Sequence, residues 1–504
     1  MSRSRFLTLI SLGAYGLVCV ILYNRYIRQD TTPPTTMQGI TPESGQSSAI
    51  VVGSGLAGLS AASQLVSHGI PVRLLERAAK PGGNSMKASS GINGAPTKHQ
   101  LVADDAFYQD TIRSAGKAMD VKTTQRENLI TTLVKNSSSA IEWLESKGVD
   151  LSKVAQLGGH STPRTHRGAG QTPPGASIMT TLLKSLKESP LFHLQTSCTV
   201  TKVLHTDNLV TGVQYTCDNG EQNELHGPVI FASGGFAGDA EGLLAKYRPD
   251  LAGYPSTNEP RPGTQPLLTE LGAQLIDMDQ VQIHPTGFID PANPTSPVKF
   301  LAAEVLRGAG GVLLRDGKRF FNELDTRERV TDAIRSAPES KIPHQWDIQL
   351  VLDEGTYNST KSHVDFYLWK GLMKQTTIAD LAPKALESIQ QYAEFAAGKH
   401  DDAFNRKSFA HWTLTDPKPE SVVYVGSVTP VIHFTMGGVL INEKSEVLKE
   451  DGEKIEGLWA AGEVSGGVHG ANRLGGSSLL ECVVFGRIAG DQCAEFIRQA
   501  GEGK

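Results

Sequence analysis

The sequence predicts an α/β fold in which a doubly wound, Rossmann-like domain is interrupted by an inserted α+β unit. Three observations lead there. An apolar, β-branched run from Ala49 to Val52 passes into the glycine pattern Gly53-Ser54-Gly55-Leu56-Ala57-Gly58 and then into a helical pattern, Leu59 to Val66. A second apolar run, Val72 to Leu75, ends in Glu76, 18 residues beyond Gly58. Strand-then-glycine segments of the same kind return near the C-terminus, from Ile455 to Val464, after a long stretch of different periodicity.

The glycines have separable tasks. Gly53 permits a tight turn, Gly55 lets the backbone approach a pyrophosphate, and Gly58 allows the helix to pack closely on the strand. Ser54 and Ala57 complete that turn. The helix then directs free N–H groups and its positive end at phosphates, while Glu76 is placed to accept from a ribose 2′-hydroxyl. A dinucleotide site is therefore expected. After Glu76 come Arg77 and the segments ending Asn84-Ser85 and Ser89-Ser90-Gly91-Ile92-Asn93-Gly94, a second small-residue loop system suited to bring backbone amides to a cofactor.

Two helical patterns occupy 104–150. The loop from Gln156 to Arg167 gathers His160, Arg164, His166 and Arg167 with no nearby carboxylate or thiolate, so a structural or cofactor-edge role is expected there and no metal site. Short strands follow at 193–195, 198–203 and 210–215, with a turn at Asp218-Asn219-Gly220. Pro228 to Ala232 is a buried strand ending in Ser233-Gly234-Gly235, which in a doubly wound sheet faces the cofactor crevice. The expected organisation is a first part of the nucleotide-binding domain at 47–277, an inserted unit at 278–432 with a helix at 379–397, and a second part at 433–504 that closes with a helix from Ser477. Glu463, Ser478 and Leu479 in that last part complete the cofactor set.

Residues 1–46 stand apart. Arg3 and Arg5 precede an apolar run from Phe6 to Tyr23, followed by Arg25, Arg28 and a polar linker. The expectation is an uncleaved membrane anchor through residues 6–23, with a cleaved presequence or a mitochondrial signal as alternatives. Placement is in the mitochondrion or the endoplasmic reticulum.

Composition bounds the chemistry. A formal charge of −5 over 504 residues, with no long basic run, argues against nucleic-acid binding. The five cysteines form no Cys-x-x-Cys pair and no Cys-x-x-Cys-His, which supports neither zinc, nor an iron–sulfur cluster, nor a c-type haem. Electrons must enter through an organic cofactor.

The motifs GSGLAG, GGNSMKASSGING, QIHPTGF, AAEVLRGAGG, NELDTRERV, HFTMGGV and AAGEVSGGVHGANRLGGSSLLECVVFGR occur in this order. In them the chain, from residue 48 to its end, resembles the soluble flavoprotein fumarate reductases of fungi, within the wider succinate dehydrogenase/fumarate reductase flavoprotein group. The resemblance implies FAD rather than NAD. Membrane-bound relatives attach their flavin through a histidine whose position is Asn84 here, which implies non-covalent FAD. It also implies fumarate and succinate as ligands, reduced flavin or another diffusible donor, and a monomer.

By the same resemblance, His284, His433, Arg473 and Gln282 bind the substrate carboxylates, Arg327 donates the proton with His284 in the catalytic set, and Glu304 and Arg307 form a relay to solvent. A planar dianion calls for several cationic donors, and Glu304 and Arg307 at i, i+3 share a helix face. Bacterial soluble relatives carry a hydroxyl residue where Ala303 stands here. Alternatives are another unsaturated acid or a ketosteroid on the same fold, or a non-catalytic flavin redox carrier.

Overall fold

The computed structural model describes residues 48–120, 124–170 and 172–502. The anchor expected at 6–23 lies outside them. Among the described residues no helix is long and apolar enough to cross a membrane.

The main sheet is organised around four parallel strands in the spatial order Val72–Leu75, Ala49–Val52, Val229–Phe231 and Lys454–Ala460. Phe192–Gln195 adds outside the first of them, also parallel. The unbroken apolar sequences of Ala49–Val52 and Val229–Phe231 follow from burial on both faces. The neighbours Ala49–Val52 and Lys454–Ala460 flank one strand yet stand about four hundred positions apart in sequence. The parallel sheet thus draws one of its strands from near the C-terminus.

The helix Leu56–Ser67 packs against the closing helix Ser477–Glu502, which runs well beyond its recognised start. Contact is close enough that a Cβ added at Gly486 or Gly490 would lie 2.5 Å from Ala57 O and 2.7 Å from Ala61 O, respectively.

The second large sheet has the order Phe300–Leu301, Val281–Phe288, Val422–Thr435, Ile348–Leu352, Val312–Arg315 and Lys318–Arg319. Its central strand passes the expected boundary at 432 and ends at Thr435, because the apolar run continues until Met436-Gly437-Gly438. That extension carries His433 to the cofactor side.

Local expectations are revised in three places. The 104–150 region holds three helices, Phe107–Ala115, Thr124–Lys135 and Ser137–Ser146. The expected 379–397 helix begins only at Ala385, since a capping box between Thr377 and Asp380 closes a separate turn and Pro383 follows it. Cys198 and Cys217 face each other across two antiparallel strands and form a disulfide, which their 19-residue separation did not suggest.

Candidate active site

A cavity of about 620 Å³ runs along the C-terminal ends of the parallel strands, where ligands bind in open α/β sheets. Gly53, Ser54, Gly55, Ala57, Glu76, Arg77, Asn84, Ser85, Ser89, Ser90, Gly91, Ser233, Gly234, Glu463, Ser478 and Leu479 all line it. Three expected cofactor residues do not. Gly58 packs beneath, where an added Cβ would lie 2.0 Å from Gly53 O. Asn93 is a buried staple: its side chain donates to Gly475 O at 2.7 Å and accepts from Thr165 Oγ1 at 2.6 Å. A Cβ at Gly94 would strike Ile141.

The cavity fits a dinucleotide. Gly53 takes φ +103° with Ala232 O so close that a Cβ would approach to 2.4 Å, so the turn is available only to glycine. At the start of the helix, Leu56 N–H donates to Ser85 Oγ at 3.1 Å. Glu76 Oε2 accepts from Ser54 N and Oγ at 3.0 and 2.5 Å, and Oε1 accepts from Ala78 N at 2.8 Å. The carboxylate is thereby held at the end of its strand. Ser89 Oγ is buried without a partner, as expected of a group that awaits a ligand. Asn84 donates to Asn258 Oδ1 on the cavity wall. Burial pushes the Glu463 carboxyl up to about 7, against two hydrogen bonds from Thr435.

At one end the wall becomes cationic. Arg327, His433 and Arg473 line the cavity, and Gln282, His284, Glu304 and Arg307 are buried behind them. The sequence brings these together from four elements: the strand Val281–Phe288, the short helix Glu304–Gly308, the start of helix Arg327–Arg335 and the end of strand Val422–Thr435, with Arg473 on the loop before the closing helix. Glu304 Oε2 accepts from Arg327 Nε at 2.9 Å and from its Nη2, and Oε1 accepts from Gly158 N at 3.2 Å. Burial alone would raise this carboxyl, but Arg327 and Arg307 overcome it and hold it down at about 2.

Burial and the neighbouring cations push His284 and His433 well below the usual histidine value, so both are neutral. His284 Nδ1 accepts from Thr286 N at 3.2 Å, which places its proton on Nε2. That Nε2 is buried and, among the described residues, has no hydrogen-bond partner, and neither has Nε of Arg473. Arg473 stacks over Phe434 at 4.3 Å; burial and Arg327 lower it to about 9. Arg307 is lowered to about 10 by burial, and its Nη2 lies 3.8 Å from Glu304 Oε1. Arg307 is fully buried, so the expected relay does not open to solvent at this residue. Its Nη1 donates to Glu323 O, and Arg406 donates to its carbonyl.

The charges sort into two groups. Glu323 and Asp402 pair with Arg319 and Arg406 behind the site. In front, Arg307, Arg327 and Arg473 gather around the ionised Glu304, and Glu463 and Glu481 also act on Arg473. The pocket therefore presents clustered guanidinium donors, which suit the carboxylates of a dianion.

The loop from Gln156 to Arg167 supports this pocket. His160 Nε2 donates to Gly475 O at 2.9 Å, close behind Arg473. The carboxylates thought to be absent arrive from far off in sequence: Asp104 and Asp110 both pair with the buried Arg164. Among the described residues no group of His, Cys, Asp and Glu is arranged to hold a metal.

These features define a dinucleotide-binding oxidoreductase with an anion pocket beside its cofactor. The profile of the FAD binding domain family matches residues 48–479, and the chain belongs to that family. Fumarate reductase 1 of Saccharomyces cerevisiae is 45% identical over 475 residues, spanning 88% of this chain and 98% of that protein. The fumarate reductase of Schizosaccharomyces pombe is 40% identical, spanning 88% of each. Among solved structures, the open conformation of a flavocytochrome c3 fumarate reductase matches with TM-score 0.70 and 32% identity, covering 90% of this chain and 79% of that one.

Proposed function

We infer that this chain is an FAD-dependent oxidoreductase acting on CH–CH bonds, reducing fumarate to succinate. One observation carries the reading. Beside the cofactor cavity stands a buried cluster of guanidinium groups, and among the described residues Nε2 of His284 and Nε of Arg473 have no hydrogen-bond partner. A small dicarboxylate satisfies both demands. The likeness to two fungal fumarate reductases supports the same substrate.

The chain's residues divide the work. Arg473, neutral His433 and neutral His284 bind carboxylate oxygens as donors, which fixes the substrate and polarises its double bond. FAD, held by Gly53, Gly55, Ser85 and their neighbours, would when bound and reduced supply the hydride for one alkene carbon. Arg327 delivers a proton to the other, and Glu304, bonded to two of its nitrogens, restores it. Glu304, held down at about 2, is a poor resting place for a proton but a good conduit. Arg307 and Gln282 hold the pair in position. The Tyr367 hydroxyl accepts from Ala303 N at 3.2 Å, so a phenol occupies the neighbourhood where bacterial relatives carry a hydroxyl residue.

The donor is a diffusible reduced flavin or its equivalent, the FAD is non-covalent, the enzyme is a monomer, and residues 6–23 anchor it in the mitochondrion or the endoplasmic reticulum. The test is anaerobic. Photoreduced holoenzyme should be reoxidised by fumarate with one succinate formed per flavin. Flavin that stays reduced with fumarate but is reoxidised by another unsaturated acid would overturn the substrate.

A further inference from the structure

The helix that carries Glu304 and Arg307 is short and starts without a cap of its own. It spans only Glu304–Gly308, and the residue before it, Ala303, offers no side-chain hydrogen bond to the first turn. A helix start of this kind is held by tertiary contacts rather than by propensity. On one side they come from the strand that carries His284: Leu301 pairs with Gly287, and Ala302 N donates to Thr286 O at 3.0 Å. On the other side stands Tyr367, from the helix Lys361–Trp369.

Tyr367 is buried, and its hydroxyl closes the segment 301–303 from both ends. Ala303 N donates to it at 3.2 Å, and it donates to Leu301 O at 3.1 Å. The phenol thus serves once as acceptor and once as donor. Its ring is fixed as well, with its centroid 4.6 Å from that of Phe288 at the end of the His284 strand. Burial raises the phenol above its usual pKa, so the donor proton stays on the oxygen. Ala303 is itself buried, and without the hydroxyl its N–H would stand in the core unpaired, which is costly.

One residue beyond Ala303, the Glu304 carboxylate has to meet Arg327 Nε, Arg327 Nη2 and Gly158 N at once. Those bonds tolerate little displacement of the helix start, and a misplaced catalytic group loses rate steeply. We propose that Tyr367 is a positioning residue for proton delivery: by bridging Leu301 O and Ala303 N it fixes the turn from which Glu304 reaches Arg327. This rests on the reductase reading above. Tyr367 lines the cofactor cavity, but its hydroxyl is committed to the backbone, so it acts through Glu304 and not on a ligand.

The test uses the holoenzyme, reduced anaerobically and mixed with saturating fumarate, so that a single reoxidation of the flavin is timed. Tyr367→Phe keeps the ring against Phe288 and removes only the hydroxyl. Its visible flavin spectrum, and its fumarate affinity read by titrating the oxidised flavin's absorbance, should match wild type. Reoxidation should slow about tenfold, short of the loss expected for the acid itself. The solvent deuterium isotope effect on that step should rise, since proton delivery has become the harder part. Ferricyanide takes electrons from reduced flavin and needs no proton from Arg327, so it should reoxidise variant and wild type equally fast. In a Glu304→Gln background Tyr367→Phe should add no further loss, because the group it aims is already gone. Reoxidation by fumarate at the wild-type rate, an equal loss with ferricyanide, or full additivity with Glu304→Gln would overturn the proposal. So would a fall in Tm with none of these changes, which would leave Tyr367 a purely structural residue. A wild-type enzyme that fumarate leaves reduced would remove the fumarate reading together with this proposal. A wild type that turns over beside an unaffected Tyr367→Phe would remove this proposal alone.

Discussion

The side-chain oxygen of Gln282 joins Arg327 to Arg473, accepting from Nη1 of the first at 2.8 Å and Nη2 of the second at 3.1 Å. Its amide nitrogen is fixed in turn by Asn472 Oδ1 and Arg473 O, both at 2.8 Å. Two like charges are thus held side by side by one neutral acceptor. Gln282→Leu removes two charge-assisted bonds, worth about 1.5–3 kcal/mol each. Steady-state fumarate kinetics should show kcat/KM down by about 10²-fold or more, with FAD still bound. Gln282→Glu should instead act mainly on fumarate KM, because it adds a negative charge between Arg327 and Arg473. Near-normal kinetics in both variants would remove Gln282 from the substrate pocket.

Arg327 and Glu304 make a second, sharper pair. Arg327→Ala should lower kcat by about 10³-fold or more, in the range for loss of a positioned acid, while leaving the visible flavin spectrum intact. Glu304→Gln keeps the shape but loses the charge that holds Arg327 through two nitrogens. It should also cost kcat rather than KM. A Glu304→Gln enzyme with wild-type kcat would end its assignment as a conduit.

How much of this was readable in the sequence depends on distance along the chain. The Gly53–Gly58 turn, its helix and Glu76 were legible because one βαβ unit of contiguous residues dictates them. The anion pocket was not, since His284, Glu304, Arg327, His433 and Arg473 converge only after two sheets have formed, and here the family motifs carried the argument. Three things escaped. Asp104 and Asp110 reach Arg164 from more than fifty residues away, so the loop that holds His160 looked bare of carboxylates. Asn93 and Gly94 lie in a cofactor-like loop, yet they turn inward to pack on Gly475 and Ile141. The Cys198–Cys217 link depends on strand register, which spacing alone does not specify.

Asn84 makes a simple prediction about the cofactor. By the motif resemblance it stands where membrane-bound relatives attach flavin through histidine, and its amide is engaged with Asn258. An amide is no nucleophile toward flavin. Acid precipitation of the holoenzyme should therefore release all yellow colour into the supernatant. Flavin that stays with the pellet would show a covalent link elsewhere.

His160 should contribute to the acid limit of the fold. Burial and Arg164 hold it down at about 4, against about 6.5 in an unfolded chain. As pH falls from about 6.5 to about 4, the unfolded chain binds this proton and the folded chain does not. Stability from His160 is therefore complete above the upper value and is lost progressively down to the lower one. At about pH 5 the loss amounts to about 2 kcal/mol. His160→Gln retains a donor for Gly475 O and cannot titrate. Thermal unfolding at about pH 7 and about pH 5 should show a smaller drop in Tm for the variant than for wild type. Burial also holds His166 at about 4, and His284 and His433 are lowered well below the usual value, so the variant keeps much of the drop. Equal drops in the two proteins would mean that His160 is already protonated in the folded state, and that the Gly475 backbone behind Arg473 accepts from a charged donor.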